Sequence, residues 1–260
     1  MKIRVGHNVF GLAAIVYGIV ILVWHQIDAF GNLTHPAILI YGVGVAEFLG
    51  GLALQWPRTM RLGAQAVGAV FSIFALYWIV QIVRTPLVFD PWGIFGEQFS
   101  IALGGVLIFA STMPADPQRA AMITKAAYTG FGICVVTFAL YQLSELTYTA
   151  GLVPKWIPPS QMFWAVATTV LFALAAAALL SGRLALLAAQ LLTAMLVLFG
   201  ILVWLPAIFA NPRKMSNWQE FAANLAIAAS SWIVADFLWQ PNRVPRRWPF
   251  VHTAVKRRAR

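Results

Sequence analysis

One acid, Glu47, stands in the middle of an apolar run, residues 37–55, that carries no other charge. An ionised carboxylate is costly at bilayer depth, so such a residue is protonated, paired or turned toward a polar cavity. The chemistry open to it is proton relay, contact with a quinone headgroup or binding of a polar solute. The plain structural alternative is a protonated Glu bonded to a neighbouring helix. A second group gathers where apolar segments end. His25 and Asp28 close the first segment and Glu97 opens the fourth, so these three can line one outer vestibule. Gln142, Glu145 and Glu220 hold the corresponding places in the second half and can line another. Glu97 and Glu220 also begin helices, where the positive dipole end favours a carboxylate by about 0.3–1 kcal/mol.

Other chemistries find less support in the residues. Four histidines are split between the two sides, His7 and His252 on one and His25 and His35 on the other, so no facing pair suits haem and no metal centre is expected. The single cysteine, Cys134, excludes a disulfide or dithiol exchange within one chain and reads as a small core residue. There is no phosphate-binding glycine loop, nucleophile elbow or Walker motif. No cofactor is evident beyond a quinone that the polar groups could contact. Trp78 and Trp232, within spans, read as packing or lipid-facing residues, with stacking on a quinone as the rival.

The elements that must position these residues follow from composition. Of 260 residues 61% are hydrophobic and only 10% charged, with mean hydropathy +0.79. A soluble domain carries about 25% charged residues, so the bilayer is the natural solvent. A membrane-spanning helix needs roughly 20 largely apolar residues. Eight segments qualify or nearly so: 9–26, 37–55, 62–83, 98–112, 126–143, 161–180, 184–204 and 221–238. The fourth is short and is expected to begin nearer Phe95. The fold class expected is an all-α integral membrane protein with eight transmembrane helices.

Net charge is +10, yet its placement argues for lipid and against nucleic acid. Eight spans put both termini on one side. Of the 18 Lys and Arg, all but Arg84, Lys155, Arg213 and Lys214 fall on that side. The bias predicts cytoplasmic termini in the cell inner membrane. The basic tail, residues 241–260, is expected to rest on anionic lipid headgroups. Trp24, Trp92, Trp156, Trp164, Trp204 and Trp218 mark one interface and Trp56, Trp239 and Trp248 the other. The first segment has no small-residue cleavage site at its exit and reads as an uncleaved helix.

The eight segments form two quartets. Arg61-Leu62-Gly63 opens the third helix of the first and Arg183-Leu184-Ala185 that of the second. Glu97 and Glu220 follow at matching distances, and Trp24-His25-Gln26-Ile27-Asp28 matches Tyr141-Gln142-Leu143-Ser144-Glu145 in carrying an aromatic and, four residues on, an acid. Four helices per unit give both units one orientation, a parallel repeat. The organisation expected is a first four-helix unit over 1–113, a cytoplasmic linker over 114–125, a second unit over 126–240 and the tail. Small residues at packing spacing, among them Gly42, Gly44, Gly63 and Gly68, are expected to bring backbones together.

The stretch Gly44-Val45-Ala46-Glu47-Phe48-Leu49-Gly50-Gly51-Leu52, followed by Thr59 and Arg61-Leu62-Gly63-Ala64, resembles the DoxX-like membrane family. That family shows Glu then Gly-Gly-Leu on the second of four helices. The second half resembles it only in layout and in Arg183-Leu184-Ala185. It lacks the paired glycines, and Thr168 or Thr169 stands nearest the place of Glu47. The resemblance implies a four-helix membrane unit and an association with oxidoreductases, including a thiosulfate:quinone oxidoreductase. The leading expectation is therefore a membrane subunit or partner of a quinone-linked redox assembly, with Glu47, His25, Asp28 and Glu97 shaping a quinone or proton site. A small-solute or proton-coupled transporter or channel is the alternative, and a ligand-free scaffold the third. The residues leave open whether the chain is an enzyme.

Overall fold

The computed structural model describes residues 5–30, 36–113 and 116–239. Every regular element among them is helical, as hydrocarbon demands of backbone polar groups that have no water to bond. Helix α1 spans Val5–Trp24, and a 3-10 turn follows at Asp28–Phe30. Then come α2 (Ala37–Ala53), α3 (Met60–Arg84), α4 (Asp90–Ser111), α5 (Pro117–Ser144) and the short α6 (Leu146–Leu152). Helix α7 spans Gln161–Ser181 and α8 Ala185–Phe199, which runs through a π-helical turn, Gly200–Trp204, into α9 (Leu205–Ala210); α10 spans Met215–Trp239. Seven of these rods are long and apolar enough to cross a membrane, with α8 and α9 counted as one; α2 is a shorter apolar helix.

Helix boundaries have local causes. Asp116 caps α5 by accepting from the Arg119 N–H at 3.0 Å, with Pro117 in the first turn. Ser160 caps α7 through the Phe163 N–H at 3.2 Å, and Gly182 ends it at φ 72°, a left-handed conformation that glycine adopts without penalty. Pro206 has no N–H to give, and just before it the ladder widens so that Leu205 N–H donates to Gly200 O. The structure extends several expected spans. Helix α4 begins at Asp90 and α5 at Pro117, so most of the expected linker, residues 117–125, is helix. These opening turns carry charge, and a hydropathy reading passes over them. Residues 240–260, with the basic tail, lie outside the described residues, as does His35.

The helices pack as a closed ring in the order α1, α2, α3, α4, α5, α7, α8, α10 and back to α1, with α4 and α10 touching across the middle. Helices α4 and α10 are accordingly the most buried, 67% of each spanning window. Close approach is achieved by glycine. Gly11 and Gly18 on α1 meet Gly51 and Gly44 on the antiparallel α2: a Cβ on Gly51 would lie 2.5 Å from the Gly11 carbonyl oxygen, and one on Gly18 2.5 Å from the Phe48 nitrogen. Gly50, one residue and about 100° round the helix from Gly51, faces α3 instead. There a Cβ on Gly63 would lie 2.5 Å from its carbonyl oxygen. The adjacent glycines thus seat α2 between two neighbours. Glu47 shares a helix face with Gly44, Gly50 and Gly51 at i±3 and i+4 spacing, so it is drawn into the same seam.

Candidate functional site

Glu47 is completely buried, and neither carboxyl oxygen has a hydrogen-bond partner. At 1.5 Å per residue from the start of α2 it lies about 15 Å down the helix. Tyr17 on α1, 2% exposed, is its electrostatic neighbour and also that of Glu97 and Asp28. The Tyr17 hydroxyl accepts a hydrogen bond from Gln219 Nε2 at 2.9 Å, tying α1 to α10. On α4, Gln98 Nε2 donates to Glu97 Oε1 at 3.2 Å. The amide oxygens of both glutamines are buried and have no partner.

The turn after α1 and the heads of α4 and α10 bring together three half-buried acids, an acidic mouth at one end of the bundle. Glu97 is within electrostatic range of Glu220 and Asp28, and Glu220 of Asp28. Among the described residues no Lys, Arg or His forms an ion pair with these three. Glu220 is also an electrostatic neighbour of Tyr141 and Tyr148, which brings α5 and α6 to the same rim. Glu220 therefore joins Asp28 and Glu97, because α10 packs against both α1 and α4. Glu220, expected with Gln142 and Glu145, is thus an electrostatic neighbour of Asp28 and Glu97 as well.

The remaining predicted residues take other places, although Glu145 shares Tyr141 with Glu220 as an electrostatic neighbour. His25 is exposed at φ 52° and meets the Tyr41 ring edge-on at 5.6 Å. Glu145 is exposed at the junction of α5 and α6. Gln142 accepts from Thr168 at 3.3 Å and from Thr169 at 3.2 Å. Those threonines stand nearest the Glu47 position in the second half. Polar demand there is met between α5 and α7, whereas Glu47 has no such partner.

Burial pushes the Asp28 carboxyl above its ordinary range. The ionised form is thus disfavoured in the fold. The stabilising contribution of the neutral form is complete below the unfolded value and disappears as pH rises through the raised folded value. Asp28→Asn is expected to raise the thermal midpoint near neutral pH and to flatten its decline above acid pH; a midpoint scan across pH in detergent checks it.

An edge-to-face row of rings flanks the site. Tyr17 meets Phe71 at 5.1 Å, Phe71 meets Phe74 at 5.6 Å, Phe74 meets Phe30 at 5.1 Å and Phe30 meets Tyr77 at 5.2 Å. Tyr77 meets Trp78 at 5.4 Å, and the Trp78 indole donates to Ala29 O at 2.7 Å. Three further indoles clasp the loop before their own helix: Trp92 to Pro86 O, Trp164 to Pro158 O and Trp218 to Pro212 O, at 3.2, 2.8 and 2.9 Å.

Sequence reasoning missed Tyr17, Gln98 and Gln219. The legible signal is the pairing of each mouth glutamate with a neighbouring glutamine, Glu97-Gln98 and Gln219-Glu220, at the head of an apolar helix. The proline–tryptophan spacing, repeated three times, was equally available. No family model, no curated protein and no solved structure matches this chain. Among the described residues no three His, Cys, Asp or Glu are placed to hold a metal ion.

Proposed function

We propose that this chain is an eight-helix, DoxX-like inner-membrane protein with cytoplasmic termini, built from two four-helix units, that couples proton gain and loss at Glu47 to movement of a small solute through the acidic mouth. The observation that carries the reading is Glu47 itself, wholly buried and without a hydrogen-bond partner, with Tyr17 as the electrostatic neighbour it shares with Glu97 and Asp28. Buried polar groups are normally satisfied, and an exception calls for a functional reason. Tyr17, an electrostatic neighbour of Glu47, Glu97 and Asp28, and its partner Gln219 would position a path for a proton.

The duplicated organisation is supported by the packing order. The first helix of each quartet lies on the last helix of the other, α1 on α10 and α5 on α4, and the two last helices meet at the centre. The Trp92–Pro86 and Trp218–Pro212 clasps tie the start of each of these two last helices to the loop before it. Both features fit a pseudo-two-fold axis near the membrane normal.

A quinone-linked role is the second reading. The DoxX-like stretch around Glu47 favours it, as does the aromatic row that runs from Trp78 to Tyr17. In that setting Glu47 would serve proton exchange with a quinone, and an oxidoreductase subunit would be the partner. Two measurements separate the readings. Proteoliposomes holding a pH-sensitive dye should show protein-dependent proton movement that Glu47→Gln abolishes. A native mass spectrum of the gently released assembly should show no stoichiometric quinone or redox subunit. A quinone adduct or a bound subunit, with no proton movement, would overturn the transport reading in favour of the redox one.

A further inference from the structure

The mouth is rich in acceptors and poor in donors. Asp28, Glu97 and Glu220 supply carboxyl oxygens without a cationic partner among the described residues. Gln98, 3% exposed, and Gln219, 8% exposed, add amide oxygens that nothing satisfies. Each amide spends one of its two N–H groups, Gln98 on Glu97 and Gln219 on Tyr17. A buried acceptor left bare costs about 1–3 kcal/mol, so the arrangement favours a visitor that brings donors and positive charge.

The size of that visitor is bounded as well. A metal ion needs its oxygen ligands drawn in to about 2.0–2.6 Å, and no three acids or other ligating side chains among the described residues are grouped for that. Acceptors spread over α4, α10 and the turn after α1 suit a wider cation with several N–H groups. Tyr141 and Tyr148 are electrostatic neighbours of Glu220, and aromatic rings attract such cations.

We propose that the mouth formed by Asp28, Glu97, Gln98, Gln219 and Glu220 binds a small organic ammonium cation. The inference rests on the transport reading of the same site and names the class of solute. The probe is 1,4-diaminobutane, titrated calorimetrically into the full-length protein in nanodiscs, with sodium and tetramethylammonium at matched ionic strength as competitors. Saturable binding of the diamine is expected, with the two competitors far weaker because neither donates a hydrogen bond. Glu97→Gln combined with Glu220→Gln should weaken binding roughly 30-fold; retained helicity by circular dichroism and an unchanged oligomeric state show that the double variant folds. No saturable binding, equal competition by sodium, or full binding by the double variant would each overturn the proposal. The two readings fail separately. Diamine binding without proton movement sinks the coupling and leaves this site standing, and proton movement without diamine binding does the reverse.

Discussion

Glu47→Met is expected to give a protein that unfolds at higher temperature and moves no protons. The two carboxyl oxygens are buried without a donor. Replacing an unsatisfied polar group by an apolar one of similar reach removes a penalty of about 1–3 kcal/mol. Methionine is unbranched and adapts to an irregular gap, so the seam between α1, α2 and α3 should accept it. Loss of the carboxyl removes the group that exchanges the proton. A rise in stability paired with loss of function marks a residue kept for its work and not for the fold. A scaffold whose Glu47 bonds a neighbouring helix would behave in the opposite way, losing stability on Glu47→Met. The thermal midpoint in detergent, read beside the proteoliposome assay, distinguishes the two.

Gly51→Val is expected to have the largest effect on the fold. A Cβ at Gly51 would sit 2.5 Å from Gly11 O and 2.7 Å from Ile15 N. Both are backbone atoms of α1 and cannot rotate aside as a side chain could. Relief requires α1 and α2 to separate, which takes Glu47 and Tyr17 apart as well. Overpacking of this kind costs about 1–3 kcal/mol, and more where backbone must move. We expect a loss at or above the top of that range, seen as a lower midpoint and reduced yield of folded protein. Gly42→Ala is the control. A Cβ there meets nothing within 4 Å, so Gly42→Ala should be neutral or gain up to about 1 kcal/mol from helix propensity.

Those two positions also show what the amino-acid sequence makes legible. An acid in an otherwise uncharged apolar run is conspicuous, because hydrocarbon leaves so few reasons for one. The paired glycines after it are equally visible, although which faces α1 and which α3 depends on helix rotation and on neighbours. The opening turns of α4 and α5 were lost to a hydropathy reading because Asp90, Glu97, Asp116, Arg119 and Lys125 make them polar. Tyr17 gave no local signal, and Gln219 only its place beside Glu220. Their bond joins residues 202 positions apart, and only the packing of α10 on α1 creates it. The same packing brings Glu220 within electrostatic range of Asp28 and Glu97. Long-range contacts between the quartets decide the site, and no period or spacing within one segment encodes them.

The central claim is that Glu47 exchanges a proton within the bundle. Infrared difference spectroscopy of the protein in nanodiscs, stepped across pH in H2O and D2O, tests it most directly. The account predicts a carboxylic-acid C=O band that shifts in D2O, changes with pH and disappears in Glu47→Gln. A Glu47-assigned band that stays fixed across pH and does not exchange with deuterium, or no band lost in Glu47→Gln, would contradict it.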